Sequence, residues 1–229
     1  MVSKNNFYEN HIVNKPWGYE YVVFNNKKVA ITFLNIKKNK KTSLHCHPQK
    51  KTGFIILNGA AIVQIGLYSF NSKKYKPLSR LVFRQGLFHS LKSISKKGLY
   101  ALEFETPFNK LDLVRFKDDY GREKKPYEGK VFLSALNKNL LKFKKPKNNR
   151  VNKYIFKNII FILKYCNNFR FVKNNDEKSS IAILDGKIVD SLGKTVISYG
   201  EVVKAKTLKI LSKKFIIKKP LLILQVSRL

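Results

Sequence analysis

The first half of the chain alternates short apolar runs with polar segments. Five of the runs are rich in β-branched and aromatic residues: GYEYVVF, VAITFLNI, TGFIILNGAAIVQIGLY, SRLVFRQG and LYALEFE. Asn, Lys, Gly and Pro residues separate them, as turn residues separate strands. Many short strands at close spacing predict an all-β fold, such as a sandwich, a barrel or a jelly roll.

Helical patterns are scarce. Residues 152–167 are compatible with either a helix or a pair of strands. The longest apolar run, YIFKNIIFILKY, contains lysines and is too short to span a bilayer. Two cysteines are too few for a disulfide framework, and no secretory signal is evident. We therefore expect a cytoplasmic protein without a membrane partner.

A faint internal repeat suggests two units. IILNGAAIV at 55–63 resembles AILDGKIV at 182–189, and the later segments follow in the same order. We predict a barrel over residues 1–145 and a smaller β domain over 146–229, with chance similarity of strand–turn–strand segments as the alternative. Gly59 aligns with Gly186 and Gly86 with Gly200. Because His89 falls opposite Val203, the second unit is predicted to be a degenerate, metal-free half.

The formal net charge of +33 suggests attraction to polyanions. The lysines are nevertheless spread over the whole length, and only residues 138–153 form a dense basic block, which is typical of a linker. No zinc-finger, RNP or helix-turn-helix pattern accompanies the charge, so we expect no specific nucleic-acid partner. Weak attraction of anions would still favour a phosphorylated small molecule.

Three of the four histidines form a candidate metal site. His45 and His47 lie two residues apart, so on a strand they share one face. His89 follows RQGLF, in which Gly86 supplies a tight turn, and only His11 lies elsewhere. Three imidazoles from two strands predict a divalent-metal site (Zn, Mn, Co or Fe) with open positions for a ligand. The alternative is ordinary core or surface histidines.

The order His-x-His, PQKKTGFIILNG and Gly-x-x-His resembles the two motifs of the cupin superfamily. The resemblance implies a double-stranded β-helix (jelly-roll or cupin barrel), here a bicupin if the second half is a degenerate copy. In cupins three histidines and one glutamate hold the metal, which carries over to His45, His47 and His89. The glutamate position falls on Thr52, a poor ligand. This leaves a three-histidine site or a carboxylate from elsewhere in the chain.

The flanking segments NKPWGYEYVV at 14–23 and LDLVRFKDDYGRE at 111–123 resemble those around the C-terminal cupin domain of type II mannose-6-phosphate isomerases. The resemblance covers residues 12–123. That family carries a guanylyltransferase domain before the cupin domain, and no glycine-rich nucleotide loop is found here. From the residues alone, Pro16 and Trp17 are expected to cap a barrel end. The charged residues of the second flank are expected to form an exposed ion-pair cluster: Arg115, Asp118, Asp119 and Arg122.

Isomerising an aldose requires a metal beside the carbonyl and a base that moves a proton between adjacent carbons. Glu103 and Glu105 share one face of the strand LYALEFETP. If this face lines the barrel, either residue is a candidate base or fourth ligand; otherwise both face solvent. Arg84 and Lys92 lie close to His89 in the sequence and are candidate phosphate-binding residues.

Three functions remain open. The resemblance implies a sugar or sugar-phosphate isomerase or epimerase in nucleotide-sugar or surface-polysaccharide precursor metabolism. Three histidines with open metal positions also suit an Fe(II)-dependent oxygenase or lyase. The third alternative is a non-catalytic carbohydrate-binding cupin, in which the degenerate half contributes to a homodimer interface.

Overall fold

A computed structural model describes residues 6–147, 150–173 and 177–229. The chain divides into two compact units, Met1–Leu140 and Leu141–Leu229. The boundary follows Leu140, whereas the sequence suggested residue 145. Antiparallel strands build most of both units. No helix in the described ranges is long and apolar enough to cross a membrane.

The described part of the first unit contains one short helix, twelve strands and two short 3-10 turns. They are α1 (Asn6–Glu9), β1 (His11–Lys15), β2 (Gly18–Asn25), β3 (Ala30–Ile36), β4 (Leu44–Cys46), β5 (Lys51–Asn58), β6 (Ala61–Ile65), a 3-10 turn (Ser69–Asn71), β7 (Ser72–Tyr75), β8 (Arg80–Phe83), β9 (His89–Ser93), β10 (Leu99–Thr106), β11 (Val114–Lys117), a second 3-10 turn (Lys130–Phe132) and β12 (Leu133–Ala135).

Eight of these strands pair in a nested order. Strand β3 pairs with β10, β4 with β9, β5 with β8 and β6 with β7, all antiparallel. One long hairpin is thereby rolled into two sheets of order β3-β10-β5-β8 and β4-β9-β6-β7. This topology is a jelly roll, or double-stranded β-helix, and it confirms the all-β fold class predicted from the sequence. Strands β2, β1 and β12 extend the first sheet, and β11 extends the second.

The side chains that line the barrel interior change from apolar to polar along its strands. On β10 the inward positions begin with the buried apolar residues Leu99 and Ala101 and continue with the buried carboxylates Glu103 and Glu105. Side chains two positions apart share a face, so one strand supplies both a core segment and a polar segment. The apolar end holds the core of the unit, and the polar end is available for chemistry.

The described part of the second unit contains two helices and eight strands. They are β13 (Asn152–Phe156), β14 (Ile159–Cys166), α2 (Arg170–Lys173), β15 (Ser180–Asp185), β16 (Lys187–Val189), β17 (Thr195–Ser198), β18 (Val202–Lys204), α3 (Ala205–Leu211), β19 (Ile216–Ile217) and β20 (Leu221–Arg228).

The second unit repeats the pairing order of the first with one strand fewer. Its sheets run β14-β20-β15-β18 and β17-β16-β19, with β13 added beside β14. Strands β14 to β20 therefore correspond to β3 and β5 to β10. Within the described ranges there is no counterpart of β4, the strand that carries His45 and directly precedes His47; this part of the chain contains α2. Of residues 152–167, all but the last form the β13–β14 hairpin, so this segment is a strand pair and not a helix.

The glycine alignment of the repeat is correct at one position and wrong at the other. Gly59 and Gly186 both have φ of +82° and both join a β5-type strand to a β6-type strand, where backbone oxygens lie too close for a Cβ. Gly86 lies between β8 and β9, whereas Gly200 precedes β18, the counterpart of β8. The alignment of Gly86 with Gly200 is therefore displaced by one strand. The counterpart of the His89 strand is β19, not the strand that contains Val203.

Candidate functional site

The three histidines of the jelly roll lie together at two neighbouring strands. His45 on β4 is directly opposite His89 on β9, and His47 follows the last residue of β4, Cys46. One nitrogen of each ring lies within 4.8 Å of the others. The ring centroids are 4.6 to 5.5 Å apart. The structure thus brings together the three residues that the sequence nominated as metal ligands.

Each imidazole is oriented by a backbone carbonyl. The Nδ1 atoms lie 2.8 Å from the Ser43 oxygen for His45, 2.6 Å from the Asp112 oxygen for His47 and 2.9 Å from the Leu87 oxygen for His89. A carbonyl accepts only, so each Nδ1 carries the proton and donates it. Each Nε2 is left with a free lone pair, the arrangement of metal-binding histidines.

Two of these lone pairs are buried without a partner. The Nε2 atoms of His47 and His89 make no hydrogen bond and are inaccessible to solvent. An unsatisfied buried acceptor costs roughly 1–3 kcal/mol. A cation placed among the three Nε2 atoms would satisfy them, so the donor set fits a divalent metal.

The histidines are held in the neutral form that binds metals. Burial lowers the pKa of His89 to about 4 and lowers the pKa of His45 and His47 well below the ordinary value. The nearby ammonium group of Lys50 lowers all three pKa values further. No proton therefore has to leave an imidazole at neutral pH before a metal binds.

A cavity of about 60 Å³ adjoins this cluster at the polar end of the barrel. Its wall combines two of the histidines with acidic, basic and aromatic side chains. The residues that line it are Lys15, Trp17, Glu20, Leu34, Thr42, Ser43, His45, His47, Lys50, Phe54, Leu91, Glu103, Glu105, Lys110, Leu113, Arg115, Arg122 and Tyr127.

The two carboxylates of β10 both line the cavity, but their surroundings differ. Glu105 accepts hydrogen bonds from Lys50 (2.6 Å), Lys110 (2.8 Å) and Thr32 (2.8 Å). Burial alone would raise the pKa of Glu105, but the ammonium groups of Lys110 and Lys50 outweigh it and lower the pKa to about 2. Glu105 is therefore a fixed anion that holds two buried lysines in place.

Glu103 remains available for chemistry. Its Oε1 lies 3.9 Å from the Nε2 of His47. Burial, and then repulsion from Glu105, raise the pKa of Glu103 to about 7. Two neighbouring carboxyls with pKa values pushed this far apart are typical of acid–base sites. Glu103 is accordingly placed to act as a proton carrier or as a fourth ligand.

The position at which the resemblance expected a glutamate does not reach the cavity. Thr52 on β5 is buried and is absent from the cavity wall. A carboxylate 3.9 Å from the Nε2 of His47 comes instead from β10, the strand that pairs with β5. A recruited carboxylate, one of the two alternatives left open by the sequence, fits this geometry.

The two candidate phosphate-binding residues lie outside the cavity. Lys92 alternates on β9 with the inward-facing residues His89 and Leu91, so it points outward and is exposed. Arg84 is exposed in the turn after β8. Both residues were chosen for phosphate binding because they are close to His89 in the sequence. That choice was wrong because it did not consider the direction of their side chains.

The charged second flank is buried rather than exposed. Asp118 and Arg122 are 7% and 9% accessible, and the Arg122 guanidinium donates to Asp118 through Nε (3.0 Å) and Nη2 (2.7 Å). Arg115 and Arg122 line the cavity, whereas Asp119 is the partner of Lys41 at 2.9 Å. The expectation of a surface ion-pair cluster is wrong for all but Asp119.

Sequence reasoning also missed the buried lysines of the cavity. Lys15 contacts Glu128 and Lys110 contacts Glu20 at 3.2 Å, both at long range in the chain. Trp17 is buried at the cavity as expected, in a flank that also supplies Lys15 and Glu20. Lys15 and Glu20 lie within the first flanking segment, whereas Lys110 directly precedes the second.

Replacing Glu105 with glutamine is expected to lower the free energy of unfolding of the first unit by about 3–5 kcal/mol, because Lys50 and Lys110 are left buried without their anion. Urea unfolding followed by the fluorescence of Trp17, the single tryptophan, measures this. Asp119→Asn is the matched control in the same unit, because the ion pair of Asp119 with Lys41 is partly exposed; this substitution should change the free energy of unfolding by less than about 1 kcal/mol. If both substitutions lowered the free energy of unfolding equally, Glu105 would not be the anion that stabilises Lys50 and Lys110.

The strand order and the histidine cluster together define a jelly-roll protein with a candidate metal centre. No family model matches the chain. Among curated proteins, the xanthan biosynthesis protein XanB of Xanthomonas campestris pv. campestris is 28% identical over 116 residues, which cover 48% of this chain and 23% of XanB. The chain thus spans about a quarter of the length of the curated relatives that it matches.

Solved structures also resemble the chain. A mutant of the oxalate decarboxylase OxdC of Bacillus subtilis aligns with a TM-score of 0.44 and 14% identity, covering 96% of this chain and 75% of OxdC. The Cnp3 cupin domain of Schizosaccharomyces pombe aligns with a TM-score of 0.36 and 14% identity, covering 39% of this chain and 64% of that domain. Both TM-scores are below 0.5, so the fold assignment rests on the strand order.

Proposed function

We propose that the first unit is a metal-dependent isomerase or epimerase that acts on a sugar or a sugar phosphate. The observation that carries this proposal is the pairing of three imidazoles, whose Nε2 atoms are free of hydrogen atoms, with a carboxyl group whose pKa is about 7. A metal site and a proton carrier of this kind are what proton transfer beside a carbonyl requires.

His45, His47 and His89 would hold the metal, which when bound supplies polarisation of a substrate carbonyl. Glu103, as the carboxylate, takes the proton from the carbon next to this carbonyl. In an isomerase the proton then returns to the former carbonyl carbon, while the hydroxyl proton of the first carbon passes to the former carbonyl oxygen, so that two hydrogens and the C=O double bond change places. In an epimerase the proton returns to the opposite face of the carbon from which it came. A pKa near 7 suits both steps, because the carboxyl neither holds nor releases the proton too strongly.

Other residues of the cavity set the pKa of Glu103 and exclude water, without contacting the reacting atoms. Lys50 and Lys110 fix Glu105 as an anion, and the repulsion from Glu105 helps to raise the pKa of Glu103. Leu34, Phe54 and Leu91 supply apolar parts of the cavity wall, which limit the water that reaches the site. Exclusion of water strengthens the electrostatic interactions inside.

The curated relative supports a role in polysaccharide precursor synthesis, since XanB is named a xanthan biosynthesis protein. A sugar or sugar phosphate on its way to a surface polysaccharide is the corresponding substrate. We place this reaction in the cytoplasm, in keeping with two buried cysteines that are both free thiols.

Exchange of substrate hydrogen with ²H₂O tests the proposal without knowing the sugar in advance. The full chain, loaded in turn with Zn, Mn, Co or Fe(II), is incubated with hexoses and hexose 6-phosphates, and the product is analysed by NMR. We expect deuterium next to the carbonyl for at least one substrate, and none after chelation of the metal. Oxygen consumption with Fe(II) and no deuterium exchange would instead favour an oxygenase.

A further inference from the structure

Arg115 is a buried cation that the proposed mechanism does not use. It lies on β11 directly opposite His45 on β4, so the two side chains share one face and both line the cavity. Its side chain is only 3% accessible. A guanidinium group is charged at any physiological pH, so a positive charge faces the site next to the histidines.

The hydrogen bonds of Arg115 use one side of the guanidinium only. Nη1 donates to the backbone oxygens of Lys125 (2.6 Å) and Pro126 (3.1 Å). Nη2 has a contact of 3.5 Å with Glu128, at the outer limit for a hydrogen bond. Nε is buried and has no partner at all. The edge formed by Nε and Nη2 therefore keeps unused donor capacity.

This edge has the geometry of an oxyanion-binding fork. Two parallel N–H groups of a guanidinium match two oxygens of a carboxylate or phosphate. A buried donor without a partner costs free energy, so a site that leaves one in place is prepared for an acceptor. The carbonyl oxygens of Lys125 and Pro126 fix the opposite edge and hold the fork in position.

The nearest carboxylate does not neutralise Arg115. Glu128 contacts Lys15 closely and accepts a hydrogen bond from Arg122, so it is shared among three cations. The cavity wall itself carries five cations (Lys15, Lys50, Lys110, Arg115 and Arg122) and three carboxylates (Glu20, Glu103 and Glu105). Because three of these cations share Glu128, Arg115 can still bind an anionic ligand.

We propose that Arg115 binds an oxyanion group of the ligand, a phosphate monoester or a carboxylate, through its Nε and Nη2 atoms. The proposal deepens the proposed function and rests on it for the sugar portion of the ligand. Arg115 takes the anion-binding role that the sequence suggested for Arg84 and Lys92, both of which lie on the outside of the barrel. Arg115 would thereby make the cavity bind anionic sugars more tightly than neutral ones.

The fluorescence of Trp17, the single tryptophan and a cavity residue, gives a direct binding assay. The full chain is titrated with a hexose 6-phosphate, a hexuronate and a neutral hexose, both as purified and after dialysis against a chelator. We expect one of the two anions to bind at least about tenfold more tightly than the neutral hexose, and the tighter one identifies the oxyanion. Equal affinity for all three sugars would overturn the proposal without any variant.

Arg115→Gln is expected to weaken binding of the preferred anion about 10- to 100-fold, the loss typical of hydrogen bonds to a charged group. Binding of the neutral hexose should stay within about twofold. Arg115→Lys should be intermediate, because the charge remains and the fork is lost. Arg84→Gln, an exposed arginine replaced by the same amide, is the matched control and should bind like the parent protein.

Two further outcomes would overturn the proposal. One is equal weakening of neutral and anionic sugars in Arg115→Gln with an unchanged circular dichroism spectrum, which would mean a general role in shaping the cavity. The other is a loss of anion affinity in Arg84→Gln. Binding is measured without turnover and is expected to persist after chelation, so failure of this proposal is distinct from failure of the metal-dependent isomerase reaction.

Discussion

Replacing His89 with alanine is expected to weaken the binding of a divalent metal by more than about 100-fold and to abolish metal-dependent turnover. Loss of a group that only orients a metal ligand typically costs 10- to 100-fold in affinity, so loss of the ligand itself costs at least as much. His89 supplies one of three converging nitrogens, and its Nε2 is buried without another partner. Titration with Zn²⁺ or Co²⁺ against a competing chelator measures the change.

His11→Ala is the control for this substitution. His11 is the fourth histidine; it lies on β1, its Nδ1 interacts with the Phe7 oxygen at 2.8 Å, and it is not part of the cluster. We expect it to retain both the metal and the activity. Parent-like metal affinity in His89→Ala would show that the three-histidine cluster is not the metal site.

Replacing Glu103 with glutamine is expected to lower turnover by about 10²- to 10⁴-fold, the usual contribution of a positioned acid–base group. The amide has nearly the same shape, so the three histidines should still bind the metal with their own nitrogens. Deuterium exchange into the substrate, compared with metal content in the same preparation, measures both quantities. Loss of metal together with turnover would instead make Glu103 a ligand.

The same substitution should stabilise the metal-free protein at alkaline pH. The pKa of Glu103 is raised to about 7 in the folded state from an ordinary value of 4.5, so the folded protein holds this proton more tightly than the unfolded chain does. The free energy of unfolding therefore falls as the pH rises from about 4.5 to 7. The melting temperature of Glu103→Gln should be higher than that of the parent protein at pH 8 and equal to it near pH 4. A lower melting temperature at pH 8 would contradict this assignment.

Much of the site was accessible from the sequence because strand geometry is simple. The spacing of His45 and His47 places both on one face of any strand, and the same rule places Glu103 and Glu105 together. Which face lines the cavity depends on strand pairing. The nested pairing of β3 to β10 makes the Glu103 face the interior, and this was left open by the residues alone.

The errors arose where long-range packing decides the outcome. Arg84 and Lys92 were chosen for closeness along the chain, although one lies in a turn and the other faces outward. Arg115 and Arg122 were read as a surface cluster because nothing local reveals that β11 pairs with β4 and carries Arg115 to the cavity, or that Asp118 and Glu128 bind the Arg122 guanidinium. The difference between Glu103 and Glu105 likewise depends on Lys110 and Lys50, which only the fold brings to Glu105.

The most direct test of the account is the metal content of the purified, tag-free full chain, determined by mass spectrometry beside a His45→Ala/His89→Ala double variant. We predict close to one divalent metal per chain in the parent protein and almost none in the variant, with Zn, Mn or Co favouring the isomerase and Fe favouring oxygen chemistry. Absence of metal from the parent protein, even after reconstitution with each of these ions, would contradict the account and leave a binding protein with a jelly-roll fold.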